Sequence, residues 1–438
     1  MASRNFVTTV FFKAEVITNL NYKKVQRVYK LMFNLAFAAS LMPWQERRKA
    51  FVIAGFTLLT VFAVLFIGTG INNALAPEGS HDLQWTPAKD LLDGVDPYRQ
   101  FMNWSELDKA PVPPHFLNQS PSYPASVYVL LAPLGHLDWS SAKLVWLVAN
   151  LVFIGLLLYG LQSVFPVKSP ALLALVVLTF LIASPLRTSL GAGQHNIISL
   201  AAFIWAYYFA FKGNRTRLSG FLLAIAWIKY SITFPLTLIF LQRGGYKPIV
   251  IAAAIHAALT AIAAWRLGQW PHEFFFNSVK VVFMGDGTGF LNLVALSMNL
   301  DLPLTPTLAA IALTTAIATI GLIRYKNPNE LLVMAFLGLL SCAVFYHHGY
   351  DFIVLIFCAW ALARRELHGT GTVMTTFCLL LLAWVGQWLA TELSLYSGNG
   401  LVVFTDYLLI SVFYYTLFLI GKSIYQRRVA FKTVNVPF

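Results

Sequence analysis

"RLSGFLLAIAWIKYSITFPLTLIFLQR", residues 217–243, is apolar along most of its length, yet it carries Lys229 at its centre and Pro235 shortly after. As one helix it would be long enough to cross hydrocarbon, but a mid-span charge and a helix breaker are what a plain span avoids. Two half-helices that dip in and return, with Lys229 at the turn, accommodate both residues. The choice also fixes topology. Basic residues flank the segment at each end, so a single span would place the two clusters on opposite sides of the bilayer. With the hairpin, ten of the twelve Lys and Arg after Leu241 share one side, the side that positive residues favour; with a single span, ten fall on the other.

The rest of the chain fits a membrane protein. Of its 438 residues, 58% are hydrophobic and 11% charged, and the mean hydropathy of +0.68 lies outside the range of soluble domains. Apolar stretches near spanning length recur from Ala50 almost to the end, among them "AFVIAGFTLLTVFAVLFIGTGI" and "KPIVIAAAIHAALTAIAAWRLG". Backbone groups in lipid must bond within their own segment, so the spans are helices. The expected fold is an all-α polytopic bundle with roughly ten to twelve transmembrane helices.

The surplus of 31 Lys and Arg over 18 Asp and Glu falls in short clusters between apolar runs, which topology explains better than nucleic-acid binding. Both termini are then expected in the cytoplasm. Fourteen of the 18 acidic residues fall on the outer side, eight of them between Glu78 and Asp138. Residues 72–139 form the long outer loop, ending in "PSYPASVYVLLAPLGHL", a stretch suited to a helix lying in the interface. Residues 1–49, with Lys23, Lys24, Arg27 and Lys30 beside apolar positions, are expected as a cytoplasmic amphipathic segment. Residues 50–424 form the membrane domain and 425–438 a cytoplasmic tail. The start of the chain lacks the pattern of a cleaved signal peptide. Cys342, Cys358 and Cys378 read as small core residues. Short cytoplasmic loops and the lack of a P-loop or G-x-G-x-x-G run leave no place for a soluble nucleotide-binding domain.

Four outer features combine polar groups with membrane depth. Asp82 stands close to the end of the first span, with Asp90 behind it and Asp93-Gly94 and Asp96-Pro97 as turn formers. In "LRTSLGAGQHNIISL", Gly191 and Gly193 loosen a turn before Gln194, His195 and Asn196 open a helix, where amide and imidazole donors face a polar ligand or Asn196 simply caps. Lys229 is expected as an anion ligand. In "FYHHGYDF", His347, His348, Tyr350 and Asp351 form a polar turn, a weak metal signature that suits anchoring or phosphate contact better.

"DLQWTPAKDLLDGVDPY", "SYPASVYVLLAPLGHLDWSSAKLVWLVANL", "GAGQHNIISL", "GFLLAIAWIKYSITFPLTLIFL" and "HHGYDFIVLIF" follow one another in an order that resembles glycosyltransferase family 87, over roughly residues 50–420. The resemblance implies the GT-C architecture of polyprenyl-phosphate-sugar-dependent, mannosyltransferase-like membrane enzymes. They take a sugar from a lipid phosphate on the outer face of the cell membrane and pass it, with inversion, to a glycolipid or glycan hydroxyl. It implies Asp82 as catalytic base, and Lys229, Gln194 and Asn196 as donor and phosphate contacts, with His195 or His348 expected to help Lys229 hold the phosphate. His347, Asp351, Tyr123 and Tyr98 are the implied substrate contacts. No cofactor or metal is expected, since no D-x-D triplet is present. Mannose is expected over arabinofuranose because the mannosyltransferase-like pattern is the nearer one. The chain departs from the family pattern at Tyr123-Pro124-Ala125, where Tyr-Pro-Pro is common, and at His195, where an apolar residue is frequent. A transporter or flippase of lipid-linked sugars would also use broken helices and buried charge, but such folds pair matching broken helices in repeats, and no second one is seen. An accessory scaffold of a cell-envelope complex is the third reading.

Overall fold

The computed structural model describes residues 44–107, 119–284, 303–324, 329–345, 347–386, 388–389 and 400–434. The expected amphipathic segment lies almost wholly outside these residues. The chain divides into two units, Met1–Phe62 and Ala63–Phe438. In the first, only the beginning of α1 (Trp44–Leu75) is described; the other described elements belong to the second.

Every element described is helical, as backbone in lipid requires. After α1 come the short α2 (Trp85–Leu92), α3 (Pro97–Leu107) and α4 (Ala125–Gly135), then the long α5 (Trp139–Val164). α6 (Pro170–Leu181) and α7 (Ser184–Ala192) form one span bent by 48°. α8 (Asn196–Phe211), α9 (Thr216–Ala226), α10 (Tyr230–Gln242), α11 (Tyr246–Leu267) and α12 (Pro271–Met284) follow. The remainder is α13 (Leu304–Arg324), α14 (Glu330–Val344), α15 (Ile356–Ala363), α16 (Thr370–Leu381) and α17 (Gly400–Val434). Counting Thr216–Gln242 as a single stretch, five helices are long and apolar enough to cross a membrane, or six with the bent pair as one span. The other apolar helices, α8 and α14 among them, are shorter.

Residues 217–243 fold back on themselves. They are helical throughout except for a 3-10 turn at Trp227–Lys229, and a straight helix would separate Ser219 from Phe240 by about 30 Å. Instead both meet the same stretch of α8. Ser219 Oγ donates to the Ala206 carbonyl at 2.7 Å, while the Phe240 ring lies 6.0 Å from that of Tyr207 and 5.4 Å from that of Phe211. The reversal is at Lys229, with φ −103° and ψ 69°, whose N–H donates to Ser199 Oγ at 3.1 Å. Thr233 Oγ1 donates back to the carbonyls of Ala226 and Lys229 at 2.7 and 3.1 Å, occupying acceptors that the turn strips of helical partners. Trp227 Nε1 crosses to Thr237 Oγ1 at 3.0 Å. The expected re-entrant pair is therefore the observed one.

Charge sorts along the bundle accordingly. At one end Lys212 donates to the Val164 carbonyl, Arg243 pairs with Glu330 at 2.6 Å and lies over Phe211, and Arg364 reaches the Pro166 carbonyl. At the other lie Asp82, Asp96, Glu273 and Asp351. Most buried apolar residues form one core among α5–α10 and α14–α16. A second core, built from Leu83, Trp85, Tyr98, Tyr123, Tyr128, Trp146 and Phe274, sits beneath the acidic-end helices.

The turn residues in that region act as expected. Asp96 Oδ1 accepts from the N–H of Tyr98 at 2.9 Å and of Arg99 at 3.3 Å, capping α3, and Gly94 takes φ 76° after Asp93 closes α2. Asp138 caps α5. The Ser141 N–H and then its hydroxyl hold the carboxyl below the ordinary carboxylate range, so its contribution is present at neutral pH and lost on acidification through that lowered value.

Candidate active site

Asp82 sits in a clamped loop at the end of α1. The Ser80 N–H donates to the Gly191 carbonyl at 2.9 Å and the Asp82 N–H to the Ala192 carbonyl at 2.8 Å, so the loop hangs on the last residues of α7. Ser80 and Gln84, on either side, adopt the left-handed conformation at φ 56° and 64°, unusual for non-glycine residues and a form of strain that functional loops hold. Across the clamp, Gly193 takes φ 70°, and a Cβ on it would stand 3.0 and 3.1 Å from Cβ and Cα of Ser80. Gly193→Ala is expected to cost about 1–3 kcal/mol of stability and to push the Asp82 loop out of register, reducing turnover. Thermal melts in detergent and a transfer assay would check this; wild-type values in both would show that the clamp does not set the loop.

From Asp82 a chain of polar contacts runs inward. Gln194 Nε2 donates to Asp82 Oδ2 at 2.5 Å, and Gln194 Oε1 accepts from Lys229 Nζ at 3.3 Å. Lys229 Nζ also donates to the Tyr123 hydroxyl at 3.2 Å and pairs with Asp351 Oδ1 at 3.6 Å. Beyond it, Asp351 Oδ2 meets His347 Nδ1 at 3.1 Å and the His348 N–H at 3.2 Å. The two charges fix the Gln194 amide. Reversed, it would put its oxygen against a carboxylate and its NH2 against an ammonium. The Asp82 carboxylate and the Lys229 ammonium are thus one carboxamide apart, the first 27% exposed and the second buried.

This geometry revises several expected roles. An ammonium has three N–H bonds, and those of Lys229 already face Tyr123, Gln194 and Asp351, with the Tyr123 and Tyr350 rings at 5.4 and 5.3 Å. A phosphate would have to displace one of them, so Lys229 reads as the centre of the network instead of an open anion ligand. His195 is fully buried, wedged 5.0 Å from the Tyr123 ring and 4.8 Å from that of Trp146, with the Leu83 carbonyl close to its ring but outside hydrogen-bonding geometry. It packs behind the site and presents no edge to a ligand.

Asn196 does not cap its own helix. Its amide NH2 donates to Ser189 Oγ at 2.9 Å and to the Tyr350 carbonyl at 3.0 Å, tying the Asp351 turn to α7 and α8. Tyr98 stands one layer back. Its hydroxyl, which burial pushes well above the ordinary phenol value, donates to the Tyr123 carbonyl at 2.5 Å and so holds Tyr123 without reaching the polar chain. Burial likewise pushes the Tyr123 hydroxyl up to about 12, against the opposing pull of Lys229, and it keeps its proton. His348 is half-buried against Tyr350, and buried His347 Nε2 has no partner among the described residues.

Other residues of the site carry no signal in the sequence. Tyr128 accepts the Tyr123 N–H at 3.1 Å and donates to Gln84 at 3.4 Å, Ser199 holds the Lys229 turn, and Trp146 Nε1 caps the Gly193 carbonyl at 2.7 Å. Each is an ordinary residue in an apolar helix until the fold places it.

A part-exposed carboxylate, oriented by an amide and backed by a buried cation, is equipped to accept a proton from a hydroxyl beside it. No curated protein and no solved structure matches the chain. Residues 122–346, about half its length, match the model of glycosyltransferase family 87. That stretch contains Tyr123, Gln194, His195, Asn196 and Lys229, while Asp82 and Asp351 lie on either side of it and meet it only through the fold. The chain belongs to glycosyltransferase family 87 and is a membrane glycosyltransferase.

Proposed function

We propose that the protein transfers mannose from a polyprenyl-phosphate donor to a glycolipid or glycan hydroxyl, with inversion and with Asp82 as general base. The observation that carries this reading is the bridge Asp82–Gln194–Lys229, which holds a carboxylate in place at the acidic end of a membrane bundle. The acceptor hydroxyl gives its proton to Asp82 as its oxygen bonds to the anomeric carbon. On the opposite face the bond from that carbon to the phosphate oxygen breaks, and polyprenyl phosphate leaves with the electron pair. A carboxylate suits this step because the hydroxyl becomes acidic only as the anomeric centre gains oxocarbenium character.

A lipid-borne donor suits a bundle whose polar site lies among apolar helices. No metal or other cofactor is assigned a role. The gathering of Lys212, Arg243 and Arg364 at one end supports placing that end in the cytoplasm, together with both termini, and the Asp82 end on the outer face of the cell membrane. Purified protein, polyprenyl-phosphate mannose and a glycolipid extract of the host make the test. Mannosyl transfer is expected. Transfer from polyprenyl-phosphate arabinofuranose alone would replace the sugar, and lipid-linked sugar crossing proteoliposomes without transfer would replace the reaction class.

A further inference from the structure

Lys422 is a charge inside an apolar stretch. It stands in α17 two residues before the end of Phe404–Ile424, a run apolar enough to cross a membrane, where a cation either meets a partner or reaches for the interface. Among the described residues no acidic group pairs with it. Glu330 and Glu366, acids at the basic end of the bundle, are taken by Arg243 and Arg364.

A groove of about 500 Å³ runs along α17 to this lysine, lined by Phe336 of α14 and by Tyr414, Leu417, Phe418, Gly421 and Lys422. The α17 residues are spaced i, i+3, i+4, i+7 and i+8, so they share one face of the helix over about 12 Å. Gly421 keeps the hollow open. A Cβ there would stand 3.3 Å from Phe336 Cε2, so a larger side chain would crowd that wall and fill the space. Phe418 at the lip is 62% exposed, as lipid-facing side chains are. Depth follows from the helix that supplies Phe336. It lies six residues from Glu330, the polar start of α14, or about 9 Å along the axis, and Arg427 and Arg428 follow Lys422 in the sequence. The apolar part of the groove therefore lies in hydrocarbon and its cationic end near the headgroups.

We propose that this groove binds one acidic phospholipid from the leaflet at the basic end, with its phosphate on Lys422 and an acyl chain against Phe336, Leu417 and Phe418. A basic hollow between transmembrane helices is the chemistry that holds such head groups. Charge complementarity selects the occupant. A second copy of the chain laid on this face would take Lys422 out of water without a counter-charge, and a zwitterionic lipid would fill the hollow without neutralising it. A lipid with a net negative head does both. The groove lies toward the end of the bundle away from Asp82, so the proposal stands whether or not the donor is a polyprenyl-phosphate sugar.

The test uses the full chain in nanodiscs of equal phosphatidylcholine and phosphatidylglycerol, with the lipids retained on the protein read by native mass spectrometry. The wild type is expected to retain one phosphatidylglycerol in preference to phosphatidylcholine by about fivefold, the effect of one basic residue on an anionic head group. Lys422→Gln should bring that ratio close to one, and Lys422→Arg should keep it. Gly421→Leu should lower retention although the cation remains. If Gly421→Leu does not fold, the two changes at exposed Lys422 still carry the test. A wild-type ratio near one, or an unchanged ratio in Lys422→Gln, would overturn the site. Displacement of phosphatidylglycerol by undecaprenyl phosphate at a tenth of its mole fraction would also overturn it and give the groove to a polyprenyl lipid. A protein dimer that Gly421→Leu abolishes would overturn it in favour of a second copy.

Discussion

Asp82→Asn is expected to reduce sugar transfer by about 10²–10⁴-fold, leaving the fold and lipid-phosphate binding intact. Asparagine has nearly the same shape, and its carbonyl oxygen can accept the Gln194 Nε2 hydrogen bond that Asp82 Oδ2 accepts now. The loop is held independently of the side chain, through the N–H groups of Ser80 and Asp82 on the Gly191 and Ala192 carbonyls. What the substitution removes is the proton acceptor. The loss should therefore appear in kcat, with donor KM little changed, and the melting temperature in detergent should stay close to that of the wild type. Turnover near the wild-type rate would strip Asp82 of the role. Equal losses in turnover and thermal stability would instead make it a structural residue of the clamp.

How much of this was legible in the sequence depends on the kind of signal each residue carries. The helical hairpin could be read because Lys229 and Pro235 break an apolar run and because basic clusters flank it. Charge and helix-breaking are local properties, visible without a fold. For the same reason Asp82, Gln194, Lys229 and Asp351 could be singled out, being polar groups where hydrophobic ones are the rule. Their division of labour could not. Whether Lys229 is an open ligand or a bound centre depends on Tyr123 and Asp351, which lie 106 and 122 residues away along the chain and reach it only in three dimensions.

His195 shows the opposite limit. Beside a glutamine in a glycine-rich turn it looks like a ligand, but the Tyr123 and Trp146 rings close over it.

Lys229→Met is expected to destabilise the protein by about 3–5 kcal/mol, the cost of leaving a buried carboxylate without its counter-charge. Asp351 is 1% exposed, and without Lys229 its charge would face, among the described residues, His347, the His348 N–H and, at 3.5 Å, the Asn196 amide. The reciprocal change, Asp351→Asn, strands the ammonium between Tyr123 and Gln194 and should cost a similar amount. Joining the two changes removes both charges at once, so the double variant should recover more than half of the summed loss. A coupling of about 2 kcal/mol or more from the cycle would mark a true pair.

Recovery of stability should not bring recovery of rate. In the double variant the Gln194 oxygen loses the cation that fixes its orientation, the amide is free to turn, and the Asp82 carboxylate loses its oriented donor. Transfer should therefore stay well below wild type even though the double variant is more stable than the summed single losses predict. Additive single effects would mean that Lys229 and Asp351 serve separate structures. A double variant with wild-type rate would show that the Gln194 bridge holds Asp82 without help from Lys229.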